Sequence, residues 1–434
     1  MDIVKLYDNF LKSKGVSIDT RTIKKNNLFI GIKGNNFDGN KFALESLKKG
    51  ASFAIVDDIE LSKHNNIFYV KNSLETLQQL ANYHRNKINI PIIAITGTNG
   101  KTTTKELIAS ILSEKYNVGY TKGNYNNDIG VPLTILSFNK TLDYGIIEMG
   151  ANHKGEIKDL CAITEPNYGI ITNIGKAHIE GFGSTKGVID AKRELYDYLS
   201  LNNGKVFLNS DNTLLKNICD VYTVITYSIS GNTDFTGNIV EINPYIKFKW
   251  EKKKKYINNE RIIQSKLIGK YNFENLLASI CIGSYFGVED NKIKNAIENY
   301  VSTNNRSQII NTKQNIILLD AYNANPSSMK LAIENFHELK SDKEKILIIG
   351  DMFELGEASK DEHYITLNEI KKLDFKKVFL VGEIFNKFSK QFKYTFFKNT
   401  IELIEYIKKE KLFNSFILLK GSRGIKLEII TDYL

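Results

Sequence analysis

Short apolar runs alternate with longer amphipathic stretches over most of the chain. Residues 92–95 read Ile-Ile-Ala-Ile directly after Pro91. A run this short, bounded by turn residues, predicts a buried strand. A glycine-rich turn follows, and the spacing of apolar residues over 102–112 predicts a helix. Similar runs at 145–147, 168–171 and 206–208 predict strands that end on polar residues: Glu148, then Thr172 and Asn173, then Asn209. The carboxyl ends of strands are where open α/β sheets carry their chemistry. Before residue 90, apolar stretches at 27–32 and 51–56 lie among turn clusters and predict a small α/β unit. After about Thr303 the alternation restarts, with strands expected at 316–319, 346–349, 378–381 and 416–419 separated by helix-length segments. That is the pattern of a doubly wound, Rossmann-like unit. The expected fold is α/β in three domains: 1–89, a small α/β domain; 90–303, a central parallel-sheet domain of the mononucleotide-binding type; and 304–434, the Rossmann-like domain.

Composition narrows the class. The 434 residues suit two to four domains at roughly 100–200 residues per domain, three being the natural number, and 42% apolar with 25% charged residues is ordinary for a folded chain. No apolar run approaches the ~20 residues needed to span a bilayer. The opening MDIVKLYDNFLKSKG interleaves charge with apolar residues where a signal peptide would have a continuous apolar core. A cytoplasmic protein without stable membrane insertion is expected. Cys161, Cys219 and Cys281 are odd in number and widely spaced, which argues against a disulfide framework or a zinc site. The net charge of +10 is spread along the chain, apart from a block at Lys252, Lys253, Lys254 and Lys255 that reads as a solvated hairpin turn. A polyanionic small-molecule substrate explains this charge as well as nucleic acid would.

The turn after the strand at 92–95 reads Thr96-Gly97-Thr98-Asn99-Gly100-Lys101-Thr102-Thr103 and opens a helix. Glycines let backbone N–H groups curl around phosphate oxygens, and the helix N-terminus adds partial positive charge. Lys101 can neutralise the terminal phosphates of ATP, and the Thr102 hydroxyl can ligate magnesium. The loop departs from the common G-x-x-x-x-G-K-[ST] form, because Ile95 stands where the first glycine would be.

Four further elements are rich in functional side chains: Asn124, Asn126 and Asn127 after Gly123; Glu148 before Met149 and Gly150; His178 in the stretch after Asn173; and Lys192 before Glu194. An asparagine turn, a strand-end glutamate or a single histidine has an ordinary structural use as well. Lys192 is more informative. Val188, Lys192, Leu195 and Leu199 share one helix face, so the lysine lies on the stripe that turns to the core. A desolvated lysine is shifted toward the neutral amine, and a neutral amine reacts with carbon dioxide to give a carbamate, a long carboxylate. Snorkelling of its ammonium is the alternative.

Together these elements resemble the Mur ligase family over nearly the whole chain. The family's T-G-[ST]-N-G-K-T-T loop matches residues 96–103, and its G-N-x-N-N-x-x-G-x-P-x-T segment matches 123–134. Its E-M-G, T-N-I-x-x-A-H and A-K-x-E elements match at Glu148, His178 and Lys192, and its Y-N-x-x-N motif at 271–275. The Y-N-A-N-P-x-S element at 322–328 marks the members that add D-alanyl-D-alanine. The resemblance implies a first domain binding the UDP-sugar peptide, a central domain binding ATP and a third domain closing over the site. ATP would lie on Gly97, Thr98, Asn99, Gly100, Lys101, Thr102 and Thr103, with Asn272 and Asn275 near the adenine and Arg306, Asp320, Asn323 and Asn325 arriving on closure. Two magnesium ions would be held by Thr102, Glu148, His178 and carbamylated Lys192. Lys101, Lys192, His178 and Arg306 would be the catalytic set. Thr20, Arg21, Lys33, Gly34, Asp38, Gly39, Asn126 and Asn127 would hold the UDP-sugar. Asn305 departs from the glycine usual before Arg306, and Leu319 from a second acidic residue before Asp320.

The implied reaction joins D-Ala-D-Ala to UDP-N-acetylmuramoyl-tripeptide through an acyl phosphate, in a monomer that needs no nucleic acid. A sister Mur ligase or a folylpolyglutamate synthase would share the loop and add a single amino acid. A nucleic-acid-dependent P-loop ATPase is the alternative of another class, disfavoured by the even spread of lysines.

Overall fold

The computed structural model describes residues 2–34, 36–176, 179–253 and 262–434. Its central element is a nine-stranded sheet among these residues. In spatial order the strands are Ile262–Ile268, Tyr245–Lys252, Phe235–Ile242, Thr223–Ser228, Lys205–Asn209, Tyr168–Ile171, Ile92–Thr96, Tyr144–Glu148 and Val118–Tyr120. From Phe235–Ile242 to Val118–Tyr120 all neighbours are parallel; the other two strands are added antiparallel. The apolar runs form these strands because a parallel sheet covered on both faces offers no wet side for polar residues. Ile92 and Ala94 point into a core closed by the helices Ser73–Ile88, Gly130–Leu136, Glu156–Thr164 and Thr185–Leu201. Ile93 and Ile95 point the other way, into a core closed by Lys101–Ser113, Tyr271–Tyr285 and Asp290–Asn299.

Register places the functional strand ends in one row. Ile95 lies opposite Glu148, and Thr96 opposite Ile171. After Ile92–Thr96 the chain builds strands first to one side and later to the other, so the loop at 97–100 stands at a topological switch point, the place where open α/β sheets bind ligands.

A smaller four-stranded parallel sheet precedes this one, in the order Val16–Ser17, Leu28–Ile30, Phe53–Val56, Ile67–Tyr69. The helix Ser73–Ile88 serves both sheets, since Leu77, Leu80 and Ala81 share one core with Leu28 and Ile30 on one side and Ile92 and Ala94 on the other. Arg85 fastens this junction: it is buried, and its guanidinium donates to Thr164 O at 2.9 Å and Glu165 O at 3.0 Å at the end of the helix Glu156–Thr164. Arg85→Met should strand those carbonyls in an apolar environment and cost about 2–4 kcal/mol of stability. Urea unfolding checks this, and a change below about 0.5 kcal/mol would show the junction to be held by packing alone.

The third sheet has the order Gln308–Asn311, Ile316–Asp320, Ser415–Lys420, Glu344–Gly350, Lys377–Val381, Thr395–Phe397, all parallel except its first pair. Residues 300–307 link it to the central unit. The lysine block begins at the end of Tyr245–Lys252, where Lys252 lies over the Phe235 ring; Lys254 and Lys255 fall outside the described residues. Among the described residues no helix is long and apolar enough to cross a membrane.

Candidate active site

The loop after Ile92–Thr96 is shaped by two glycines at positive φ, Gly97 at +146° and Gly100 at +79°. A Cβ on Gly97 would stand 2.0 Å from the Thr172 hydroxyl oxygen, and one on Gly100 2.5 Å from Asn275 Oδ1, so neither position admits a side chain. The neighbouring strand end braces the turn. Thr98 N donates to Asn173 O, Asn99 N donates to Asn173 Oδ1, both at 2.9 Å, and the Thr172 hydroxyl donates to Asn99 O at 2.6 Å. Lys101 curls back into the loop and donates to Gly97 O at 2.7 Å and Thr98 O at 3.2 Å. Burial pushes its ammonium below the usual lysine range, Glu148 opposes that shift, and Arg306 adds to it. A half-buried cation here, with the charge of Arg306 acting on it, suits a polyanionic ligand.

Glu148 is 2% exposed. Its Oε1 accepts from the Thr102 hydroxyl at 3.2 Å and from Asn126 Nδ2 at 2.9 Å. Its Oε2 is buried with no hydrogen-bond partner among the described residues. A carboxylate oxygen left this way, beside a threonine hydroxyl and a phosphate loop, fits magnesium, which takes one or two protein oxygens and completes its shell with phosphate and water. His178 lies outside the described residues, and among the described ones no cluster of three or more His, Cys, Asp or Glu gathers.

Lys192 sits on the helix Thr185–Leu201, started by the Ser184 hydroxyl accepting from Gly187 N. Val188, Lys192, Leu195 and Leu199 are all buried on one face. Lys192 is 3% exposed, with Nζ 5.8 Å from the centre of the Phe182 ring. Burial, reinforced by the charge of Lys101, pulls its pKa down to about 7. The shift favours the neutral amine, the state that carbamylation requires.

Asn272 and Asn275 are buried and joined to each other at 3.0 Å; Asn275 also accepts from the Thr104 hydroxyl, and Asn272 donates to Ile268 O. The third unit reaches the loop from above. Asn325 Nδ2 donates to Asn99 Oδ1 at 2.8 Å, and Lys176 N donates to the Ser327 hydroxyl at 3.2 Å. The 322–328 element is a helix start: Asn325 and Ser328 form a capping box at the head of Pro326–Glu338, with Pro326 in the first turn. Arg306 stacks on the Tyr322 ring at 3.8 Å, and its buried Nε has no hydrogen-bond partner among the described residues. Asn305 adopts φ +52°, the left-handed conformation that asparagine tolerates better than most residues with side chains, so its departure from glycine leaves this turn intact. Asp320 accepts from Lys420 Nζ at 2.7 Å and from Ser307 N at 3.2 Å, while Asn323 is exposed. Leu319 packs in the core of the third sheet.

The residues expected at the UDP-sugar divide. Arg21, Lys33 and Gly34 are exposed; Arg21 forms a double hydrogen bond to Asp19 and holds that carboxyl down at about 2. Thr20 and Gly39 are buried, and Asp38 accepts from Asn40 N and Nδ2. Asn127 caps the turn into Gly130–Leu136 through Gly130 N, and Asn126 belongs with Glu148. Sequence reasoning missed Lys105, 1% exposed with Nζ 3.5 Å from Glu148 Oε2, and Glu106 beside it. The available signal was the Lys-Glu pair just before the buried run of the loop helix.

A glycine-shaped loop at a switch point, a buried carboxylate with one oxygen free of hydrogen bonds, and a cation-bearing third unit describe an enzyme that works on a nucleoside triphosphate. Three family models match in turn: the catalytic domain of the Mur ligase family over 12–85, the Mur ligase middle domain over 95–283 and the Mur ligase glutamate ligase domain over 305–423. The chain belongs to the Mur ligase family. It is 32% identical to the UDP-N-acetylmuramoyl-tripeptide–D-alanyl-D-alanine ligase of Bacillus subtilis, over 97% of this chain and 93% of that one. With the ligase of the same name from Escherichia coli it shares 34% identity over 85% and 81%. The crystal structure of MurF from Acinetobacter baumannii superposes with a TM-score of 0.86 at 27% identity, covering 99% of this chain and 97% of that one.

Proposed function

We propose that this chain is the ligase that adds D-alanyl-D-alanine to UDP-N-acetylmuramoyl-tripeptide at the expense of ATP, working as a cytoplasmic monomer in peptidoglycan synthesis. The observation that carries the reading is the assembly of Lys101, Thr102, Glu148, Lys192 and Arg306 around one phosphate loop, in a chain similar throughout its length to ligases of that name.

In the first step the terminal carboxylate of the tripeptide takes the γ-phosphoryl group of ATP, giving an acyl phosphate and ADP. The neutral amine of D-Ala-D-Ala then attacks the acyl carbon and gives up one proton, the bond from the acyl carbon to the phosphate oxygen breaks, and the amide and inorganic phosphate are released. The loop N–H groups and Lys101 bind the transferring phosphoryl group, and Arg306, unpaired at Nε, supplies a second cation to its oxygens. Thr102, Glu148, His178 and a carbamate on Lys192 would hold magnesium, which shields phosphate charge. Forming that carbamate joins the Lys192 nitrogen to carbon dioxide and releases one proton, so it needs the neutral amine. Asn272 and Asn275 would face the adenine, and Thr20, Arg21, Lys33, Gly34, Asp38 and Gly39 the UDP-sugar. Asp320, Asn323 and Asn325 would order the closing unit over ATP.

The test is phosphate release from ATP with UDP-N-acetylmuramoyl-tripeptide and either D-Ala-D-Ala, single amino acids or no amine. Release with the dipeptide alone, and a product heavier by the dipeptide less water, is the expected result. Release with a single amino acid would instead make the chain a sister ligase. For Lys192, a carbamate carbon signal in NMR after exposure to 13C-bicarbonate, absent from Lys192→Met, is expected; no signal in the active wild type would remove the modification from the reading.

A further inference from the structure

The loop helix carries an ionic pair that the reaction described above does not use. Lys105 is 1% exposed, and its Nζ stands 3.5 Å from Glu148 Oε2 and 3.9 Å from Glu106 Oε1. Burying an ammonium costs several kcal/mol unless charge and geometry offset it. Here the offset comes from two carboxylates of different kinds. Glu148 faces the phosphate loop. Glu106 faces the linker to the third unit, where Tyr300 OH donates to its Oε2 at 2.7 Å and Asn304 Nδ2 to its Oε1 at 2.6 Å. Two residues further along the linker is Arg306, whose carbonyl accepts from the Ser302 hydroxyl at 2.6 Å.

We propose that Lys105 and Glu106 are positioning residues, a relay that ties the linker carrying Arg306 to the metal-facing carboxylate Glu148, so that linker placement and metal–nucleotide binding are coupled. The geometry separates this from a plain stabilising ion pair. Lys105 lies outside hydrogen-bond geometry to Glu148 Oε2, so it orients that oxygen by charge and leaves its lone pairs to a cation. At the other end, burial and the Glu106 carboxylate raise the Tyr300 phenol, which keeps it a proton donor. A cavity of about 300 Å³ lined by Glu106, Ser110, Tyr120, Tyr300 and Thr303 borders the linker. Packing therefore leaves one side of Tyr300 open, and the hydrogen bonds to Glu106 hold the linker in place. Groups acting on a metal ligand from behind commonly change metal affinity 10–100-fold.

The inference rests on the ligase reading in taking Glu148 as metal-facing, and the experiment separates the two. Manganese is titrated into the full-length protein with ADP and followed by electron paramagnetic resonance, for the wild type, Glu106→Gln, Tyr300→Phe and Ser110→Ala. Glu106→Gln should bind Mn2+ about tenfold more weakly and Tyr300→Phe several-fold more weakly, although neither contacts the metal site. In turnover, kcat should fall with the KM for D-Ala-D-Ala unchanged. Ser110→Ala, on the same helix but outside the relay, should match the wild type. Wild-type affinity in Tyr300→Phe would overturn the relay alone, and that variant decides the matter if Glu106→Gln does not fold. A wild-type protein that binds no Mn2+ with ADP would take away the metal role of Glu148, and the relay with it.

Discussion

Lys101→Ala should abolish ligation while leaving the protein folded. The Lys101 ammonium has two described hydrogen-bond partners, the carbonyls of Gly97 and Thr98 in its own loop, and its removal empties a ligand site without opening a core. A positioned cation on a transferring phosphoryl group accounts for roughly 10³–10⁵ in rate, so kcat for phosphate release should drop at least about 10³-fold on that scale. The melting temperature should stay within about 2 °C, as for changes that create no cavity and strand no buried charge. A second effect follows from the neighbour. The charge of Lys101 helps to hold the Lys192 pKa down, so Lys101→Ala should raise it and reduce carbamate at neutral pH. Wild-type turnover in this variant would remove Lys101 from the chemistry.

Lys192→Met is expected to be nearly inactive and yet more stable than the wild type in mild acid. Its folded pKa of about 7 lies below the ordinary 10.5, chiefly through burial. Between those two values the unfolded chain binds a proton that the folded protein does not, so wild-type stability rises with pH across that window. Below about pH 7 the folded protein carries the buried ammonium, and the full penalty applies. Methionine, with similar length and no charge, escapes it. Urea unfolding at pH 6 should show a gain of roughly 2–4 kcal/mol, in the range seen when buried charges are replaced by apolar groups, shrinking as the pH rises from 7 toward 10. Activity should fall about 100-fold or more on the scale of a lost metal-orienting group. A variant that is destabilised at pH 6, or that turns over normally, would show Lys192 to be an ordinary snorkelling lysine.

Much of this molecule was legible in the chain because parallel α/β architecture writes itself in short apolar runs. The strands at 92–96, 144–148, 168–171, 316–320 and 415–420 are each marked by an uncharged, largely apolar run of three or four residues that an exposed strand would rarely carry. The helix face bearing Lys192 was legible for a similar reason, its 3.6-residue period placing the lysine among core residues before any contact was known. The strands at 223–228, 235–242 and 262–268 were not anticipated. Thr223–Ser228 and Ile262–Ile268 carry polar residues inward as well as outward, and Phe235–Ile242 is interrupted by Gly237 and Asn238, so no periodicity stands out.

The sequence by itself determined the loop chemistry, because backbone curvature, phosphate affinity and the start of a helix are all local properties of Gly97, Gly100 and Lys101. It also determined the helix start at Asn325, whose cap and proline lie within four residues of each other. Only the tertiary structure decided that Asn126 and Lys105 converge on Glu148 and that Glu106 holds the linker residues Tyr300 and Asn304. These partners are separated by 22 to 198 positions in the chain. No local pattern encodes such a meeting; it depends on strand order, register and the angle at which the third unit closes, which are fixed only when the cores pack.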